Sequence, residues 1–428
     1  MESILHIQDK YHENDSIKSY EYNEYQPTSG SNINIPGEIR INIENQDEFY
    51  HPRRSWLLVE GDLVKSADDS AYGDDDLVSL TNNAIMYLFT NIKYELAGQE
   101  IESLNHPGFA STMLGSAKRS FDYAKGPGLM QCWYPDTSTA AADTNIGFAA
   151  RRSYIIKKPT PKGSFSFGVE LENIFGFCED YDKVVYGMRH TLTLVRKSDD
   201  DAIFRAHAAD AGKVKLSKIS WMMPRVHPSD AEKYQLYKSI EAKVVLDAAY
   251  RKRQCNIMEI PAAATSMNWR LGVRTAPEKP RYILIGFQKD KSGNQEKNPV
   301  LFDHINTTRM SVVMNDTEYP PLDVNANFTK NQYVHFYKMF IDFARDFYGI
   351  DPLVSSTAIT PLAYKELFPL FVFNVSKQSE RVYQSVVDVT VKMQFSENVG
   401  DHVRAYAVVI SDSRLKFQSD GKKMSVIY

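Results

Sequence analysis

Apolar residues recur at every second position along much of this chain, and that alternation restricts the fold more than any other feature. It runs through residues 38–43, 56–64 and, as a longer stretch, 84–96. A side-chain period of two belongs to a strand with one buried face. Ala97, Gly98 and Gln99 then supply a turn, and residues 100–102 start a return strand. Further runs follow at 164–171, 183–195 and 213–223, which makes eight or nine strands before about residue 226.

A break comes next. Pro224 and Pro228 precede Ser229-Asp-Ala-Glu232, a capping box in which the Ser side chain accepts from an orphan amide and the Glu reaches back. This predicts a helix to about Glu241 and a boundary between two halves. The second half repeats the order of the first. Strands are expected at 242–246, 268–273, 281–287, 302–305 and 309–314, with a turn at Asn315-Asp316, and again at 370–375, 385–395 and 403–410. A helix lies between these two sets of strands. Tyr333, Tyr337, Phe340, Ala344 and Phe347 fall at helical spacing, with Thr329 as the expected cap, Gly349 as the stop and Pro352 preventing continuation. Its aromatic stripe reads as core packing against a sheet.

Short antiparallel connections between so many strands call for sheets packed face to face. The expected fold class is therefore all-β: two tandem eight-stranded antiparallel jelly-roll sandwiches with a few inserted helices. The chain has 428 residues, enough for two sandwiches of nearly 200 each. The expected domains are an acidic, flexible N-terminal arm at 1–36, a first sandwich at 37–226 and a second at 227–428.

Charge sets the arm apart. Glu2, Asp9, Glu13, Asp15, Glu21 and Glu24 oppose only Lys10 and Lys18, a net of -4, which equals the formal charge of the whole chain. The remainder is neutral overall, which argues against coating nucleic acid by bulk charge. The arm reads either as a frayed terminus or as a segment ordering against a neighbouring subunit, with Tyr11, Tyr20, Tyr22 and Tyr25 as contacts. Cys132, Cys178 and Cys255 are odd in number and far apart, which fits a reducing compartment, the cytoplasm or nucleus. The first ten residues lack a signal-peptide pattern, and no apolar run is long enough to span a membrane. The Asn-x-Ser/Thr triplets at Asn306, Asn315, Asn327 and Asn374 then read as chance matches.

No constellation for chemistry emerges. The ten histidines include no His-x-His or His-x-x-x-His pair of the kind a metal-binding sandwich shows. The acidic loop with Asp68, Asp69, Asp74, Asp75 and Asp76 lacks calcium-loop ligand order. There is no phosphate-binding Gly-x-x-x-x-Gly-Lys run. Residues 163–168 have the wrong spacing for a nucleophile elbow. Glu170 and Glu172 share a strand face, so a glycosidase pair is conceivable there. Basic clusters at Arg151-Arg152, Lys157-Lys158 and Arg251-Lys-Arg253 read either as solvated surface or as contacts to acidic loops or packaged nucleic acid. No catalytic, cofactor-binding or metal-binding residue is assigned, and no cofactor is expected.

Several stretches carry a resemblance. NNAIMYLFTNIKYELAGQEIE at 82–102, IFGFCEDY at 174–181 with VVYG at 184–187, ISWMMPRV at 219–226 and RYILIGFQ at 281–288 resemble the double jelly-roll major capsid proteins of Polinton/Maverick elements and the related adintoviruses. The likeness spans about residues 38–410. It implies two upright jelly rolls per subunit, trimers forming pseudo-hexameric capsomers, and an icosahedral shell around double-stranded DNA. It further implies a single jelly-roll penton protein as a partner, location in the virion, no membrane span and no catalytic residues.

Interface anchors are expected among aromatic and Arg residues of the long segment 103–163: Phe109, Phe121, Tyr123, Trp133, Tyr134 and Arg151, with Tyr20, Tyr22 and Tyr25 from the arm. Packing within the same subunit is the alternative for each. Two other functions remain open. A glycan-processing enzyme would gather Glu170, Glu172 and Asp180 in a deep cleft. A carbohydrate-binding pair of modules would expose an aromatic platform.

Overall fold

The structure is a computed structural model that describes residues 16–28, 32–159, 161–272, 279–351, 357, 359–377, 387–419 and 424–427. Residues 1–15, including Tyr11, lie outside that set, as do Val273, Pro352 and the side chain of Phe121.

Two sandwiches follow one another in the chain. In the first, β1 (Ile17–Tyr25), β2 (Gly37–Ile43), β3 (Phe49–Tyr50), β4 (Trp56–Lys65), β5 (Val78–Leu80), β6 (Phe89–Leu96) and β7 (Gln99–Asn105) precede a helical insertion. Then come β8 (Ser164–Glu170), β9 (Val185–Tyr186), β10 (His190–Arg196), β11 (Ile203–Arg205) and β12 (Gly212–Pro228). The second sandwich holds β13 (Leu246–Ile260), β14 (Ser266–Leu271), β15 (Lys279–Lys289), β16 (Thr307–Met314) and β17 (Thr317–Tyr319), then a second insertion. It closes with β18 (Phe371–Asn374), β19 (Val389–Phe395), β20 (Val403–Ser419) and β21 (Met424–Ile427).

Pairing shows that the halves are copies of one topology. The first has a sheet with the path β1-β12-β4-β8 and a facing sheet β2-β10-β6-β7. The second has β13-β20-β15-β18 and β14-β19-β16-β17. Strand for strand, the orders match, and both helical insertions fall at the same place, after β7 and after β17. Alternating burial puts Leu57 and Val59 of one sheet and Ile39, Ile41 and Leu192 of the other into the core. Tyr94 meets Trp221 across the first sandwich at 6.0 Å, and Phe287 meets Phe395 across the second at 5.9 Å. One continuous hydrophobic core runs through both halves.

This topology corrects the arm. Residues 17–25 are not a flexible extension but the first strand of the first jelly roll. β1 pairs antiparallel with β12 from Ile17 opposite Pro228 to Tyr25 opposite Trp221. Its acids are matched by the partner strand: Glu24 reaches Lys218 at 2.7 Å and Glu21 reaches Arg225 at 3.4 Å.

Helices differ from expectation in several places. The stretch 84–96 is not one strand; α1 (Ala84–Tyr87) is a buried helical turn ahead of β6. The segment 103–163, in which Pro107 suggests a short helix and the Gly126-Pro-Gly128 region a long loop, carries α2 (Pro107–Lys118) where that helix is expected, and also α3 (Phe121–Lys125) and α4 (Ile146–Ile155). A short helix α5 (Gly176–Asp180) follows β8. The linker helix α6 (Asp230–Glu241) begins where the capping box placed it, with the Ser229 side chain accepting from the Glu232 amide. In the second insertion, α7 (Val334–Tyr348) has Tyr333 at its N-cap position, later than the expected Thr329 cap, and is followed by Gly349 in the left-handed conformation. Its Phe336, Phe340 and Phe343 are buried. α8 (Pro361–Glu366) is capped by Thr360. Among the described residues, no helix is long and apolar enough to cross a membrane.

Three strand expectations also shift. The run 183–195 is divided between β9 and β10, which lie in different sheets. Residues 242–245 are not a strand, and the second sandwich opens with the 15-residue β13 instead. Residues 302–305 are not a strand either; Asp303 makes only an isolated bridge with Phe287.

Candidate assembly surfaces and the seam between the sandwiches

The outer edge of β13 would present unpaired amides, a hazard for any edge strand. The first sandwich covers it with carboxylates. Asp180 Oδ2 accepts from the Arg251 amide at 2.7 Å, and Glu102 Oε1 accepts from the Arg253 amide at 2.8 Å. Glu102 Oε2 also accepts from the Phe177 amide at 3.0 Å, so a single side chain ties β7, α5 and β13 together. α5 approaches so closely that a Cβ on Gly176 would lie 1.7 Å from the Arg251 carbonyl oxygen. Only a glycine fits this contact.

Ion pairs flank these bonds. Arg251 Nε lies 2.9 Å from Asp180 Oδ2, and its guanidinium stacks 4.2 Å from the Phe347 ring. Arg253 pairs with Glu179, which also accepts from Lys118 Nζ at 2.6 Å. Burial pushes Glu102 up to about 7. Burial acts the same way on Glu179, but Arg253 and Lys118 outweigh it and hold that carboxyl down at about 2. Apolar contacts complete the joint. Phe109 stacks on Tyr406 at 4.1 Å, and the Tyr250 hydroxyl donates to the Ile101 carbonyl at 2.8 Å. At another point of contact, Asn298 donates to Asp136 at 2.9 Å and Arg205 pairs with Glu296 at 2.9 Å.

The sequence-derived interface anchors separate into two groups. Phe109, Trp133 and Arg151 are not interface residues of the free subunit; they are 3%, 1% and 3% exposed. Phe109 belongs to the seam. Trp133 lies under α2, where a Cβ on Gly115 would strike its ring at 2.4 Å. Arg151 is spent on Asp136 at 2.8 Å and the Leu80 carbonyl at 2.9 Å. Tyr123 and Tyr134 are half-buried within the same insertion. The physical reason is that the helices of this insertion pack onto the sandwiches, which covers the side chains that a loop would have displayed: Phe109 lies on Tyr406 and Tyr87, and Arg151 reaches the Leu80 carbonyl of β5.

The tyrosines of β1 are different. Tyr20 and Tyr22 are 40% and 48% exposed, with ring centroids 5.9 Å apart. The Tyr20 hydroxyl pairs with His51 Nδ1 at 3.1 Å, while His51 Nε2 faces Asp182 at 2.8 Å. Tyr22 donates to the Arg54 carbonyl at 3.3 Å. Tyr25 is half-buried, with its hydroxyl 3.4 Å from that of Tyr50. Two rings are thus held at fixed positions on an edge strand.

The basic clusters are largely absorbed by the fold. Arg152 is buried and pairs with Asp143 at 2.8 Å, as does Lys157 at 2.9 Å. Lys158 donates to Ser164 Oγ at 3.0 Å. Arg251 and Arg253 build the seam, a role that the sequence reading missed. The sequence shows two Arg residues spaced two apart and, more than 70 positions earlier, the acidic pair Glu179-Asp180, with nothing local that joins them.

The carboxylates considered for catalysis are engaged as well. Asp180 is bound by Arg251, and Glu172 faces Arg53 at 3.8 Å. Burial first, then Glu170, raises Glu172. No group of three or more His, Cys, Asp or Glu suited to a metal exists among the described residues.

Comparison with known proteins now decides the family. The double jelly roll-like domain model matches residues 138–415. The chain belongs to the double jelly roll-like family. The fold of the family extends over the whole chain in solved structures. The Sputnik virophage structure matches with a TM-score of 0.64 at 11% identity, covering 99% of this chain and 91% of that one. PBCV-1 VP54, as fitted into a Sputnik reconstruction, matches at 0.59 and 11%, covering 99% of both chains. The mavirus major capsid protein matches at 0.55 and 11%, covering 99% and 93%. No curated protein matches.

Proposed function

We propose that this chain is the major subunit of a viral capsid and acts by assembly, not catalysis. The observation that carries this reading is the whole-chain likeness to double jelly-roll capsid folds, together with a seam that locks the two sandwiches into one building block. In this reading three subunits form a pseudo-hexameric capsomer. Capsomers tile an icosahedral shell around double-stranded DNA, with a single jelly-roll penton protein at the vertices. DNA is contacted indirectly, and the protein resides in the virion after synthesis in a reducing compartment of the host. The sequence resemblance favours the Polinton/Maverick and adintovirus branch.

Tyr20 and Tyr22 are the contact residues we assign to the neighbouring subunit. Exposed aromatics on a rigid strand bury large area at little entropic cost. Negative-stain microscopy of the purified protein, with light scattering, is the test. Triangular or hexagonal particles, or closed shells, are expected. A protein that stays monomeric at high concentration would refute the assembly role.

A further inference from the structure

The two sandwiches share one topology, but their first strands are not equally covered. β13 and β1 hold the same place, each the outer strand beside the long strand that closes its sandwich, β20 and β12. β13 is covered from within the chain. β7, the outer strand of the facing sheet in the first sandwich, sends Glu102 to the Arg253 amide, and Arg251 is paired with Asp180. β1 has no such cover. It holds no buried position, and among the described residues only β12 hydrogen-bonds its backbone. An edge strand left open in this way invites a partner.

The counterpart of β7 in the second sandwich is β17, the outer strand of the sheet β14-β19-β16-β17. Its three residues are exposed or half-buried. The side chains at the two edges are complementary. Beside β1, Tyr20 and Tyr22 are exposed, and the Tyr22 hydroxyl bonds the carbonyl of Arg54. The Arg54 side chain is itself exposed and makes no ion pair among the described residues. Beside β17, Leu322 is 64% exposed. Asp316, in the turn that enters the strand, is exposed and makes no ion pair among the described residues. A free cation with two rings on one edge thus matches a free acid with an apolar side chain on the other. Arg251 and Asp180 make the same kind of pair inside the chain.

We infer that β1 of one copy docks on the β17 edge of a second copy, repeating between chains the contact that β13 makes with the β7 side within one chain. Arg54 meets Asp316 there, and Tyr20 and Tyr22 close on Leu322. The two edges differ, so the contact is heterologous: each copy offers one of each, and a closed ring leaves no β1 uncovered. The inference rests on the assembly reading above and adds to it the surface that Tyr20 and Tyr22 meet.

Charge reversal across the contact tests it, with assembly followed by light scattering over a dilution series and melting midpoints as the control of the fold. Arg54→Asp and Asp316→Arg should each raise the assembly concentration about tenfold or more, because like charges then face each other. The double variant Arg54→Asp/Asp316→Arg should return to within about threefold of the parent. Leu322→Ser should raise the assembly concentration as well. All of these variants should melt like the parent, since the three side chains are exposed. A parent that stays monomeric overturns the assembly reading, and this contact with it. A parent that assembles while neither single reversal matters, or a double variant no better than the single ones, overturns the contact alone and leaves the assembly reading in place. If Asp316→Arg lowers the melting midpoint, Arg54→Asp and Leu322→Ser decide from opposite sides of the contact: both must weaken assembly, and either one without effect overturns the inference.

Discussion

Glu102 is fully buried and serves three backbone elements at once, so its protonation is coupled to the stability of the seam. Its folded value, raised by burial to about 7, lies above the ordinary 4.5. The folded state therefore holds this proton more tightly than the unfolded state. Its contribution to stability is full below about 4.5 and is lost as pH rises through about 7. Glu179 behaves oppositely. Held at about 2, it contributes above its ordinary 4.5, and that contribution is lost as pH falls towards 2. The joint should thus be most stable near pH 5. Melting midpoints of the parent and Glu102→Gln at pH 5 and pH 8 check this. The parent should lose on the order of 2–3 kcal/mol more than the variant over that interval; parallel behaviour would contradict it. Gly176 gives a second residue-level outcome. Adding one methyl group in Gly176→Ala forces α5 away from the Arg251 carbonyl, at a cost of about 1–3 kcal/mol in denaturant unfolding. An unchanged midpoint would mean that α5 does not press on β13 as the structure shows.

At the scale of elements, β1 and α6 look alike on the surface but should respond differently to change. β1 is an edge strand whose removal uncovers β12 from Trp221 to Pro228. Deleting residues 1–25 should lower stability and promote aggregation through the open edge. A freely hanging arm could be removed without either effect. α6 has no buried residue, so losing its cap in Ser229→Ala should cost the helix about 1 kcal/mol locally. Hydrogen exchange should quicken in α6 while the global unfolding midpoint stays in place; a fall in the global midpoint would show that the linker is part of the cooperative core. The same contrast explains what the sequence disclosed. β4 buries every second residue over its first eight positions, so its period is plain. β1 has no buried position at all, because it lies at an edge and carries Tyr and Glu where aliphatics would signal a strand. The apolar pattern of β13 is interrupted by Arg251, Lys252 and Arg253, and the counter-charges of the two Arg residues, Asp180 and Glu179, come more than 70 positions earlier. No local pattern can announce a partner so distant. α1 is buried on every side, which removes the periodicity that separates a helical turn from a strand. Of the expected contact residues, Tyr20 and Tyr22 are exposed, as contacts would need to be. Phe109, Trp133 and Arg151 were misplaced because what buries them, Tyr406 beside Phe109, α2 over Trp133, and Asp136 with the Leu80 carbonyl at Arg151, lies on elements that the sequence does not place beside them.

At the scale of the molecule, the assembly we propose would start from a subunit with little net charge and a close internal joint. The formal charge of -4 resides in residues 1–36, and two of those acids, Glu21 and Glu24, are already matched by Arg225 and Lys218. Long-range repulsion between copies is therefore weak, and contact energy must come from short-range burial. Tyr20 and Tyr22 supply a fixed aromatic pair on the first strand of the first sandwich, outside the continuous core. Truncating both in Tyr20→Ser/Tyr22→Ser removes two exposed rings without opening a cavity, so the melting midpoint of the subunit should move little. Aromatic anchors at interfaces cost about 2 kcal/mol or more when truncated. If the proposed capsomers form through this edge, the concentration at which they do so should consequently rise by at least about tenfold, read by light scattering across a dilution series. Assembly at the parental concentration with an intact fold would exclude this edge as the subunit contact. Reduced assembly accompanied by a lowered midpoint would instead place the two rings in the stability of the subunit itself.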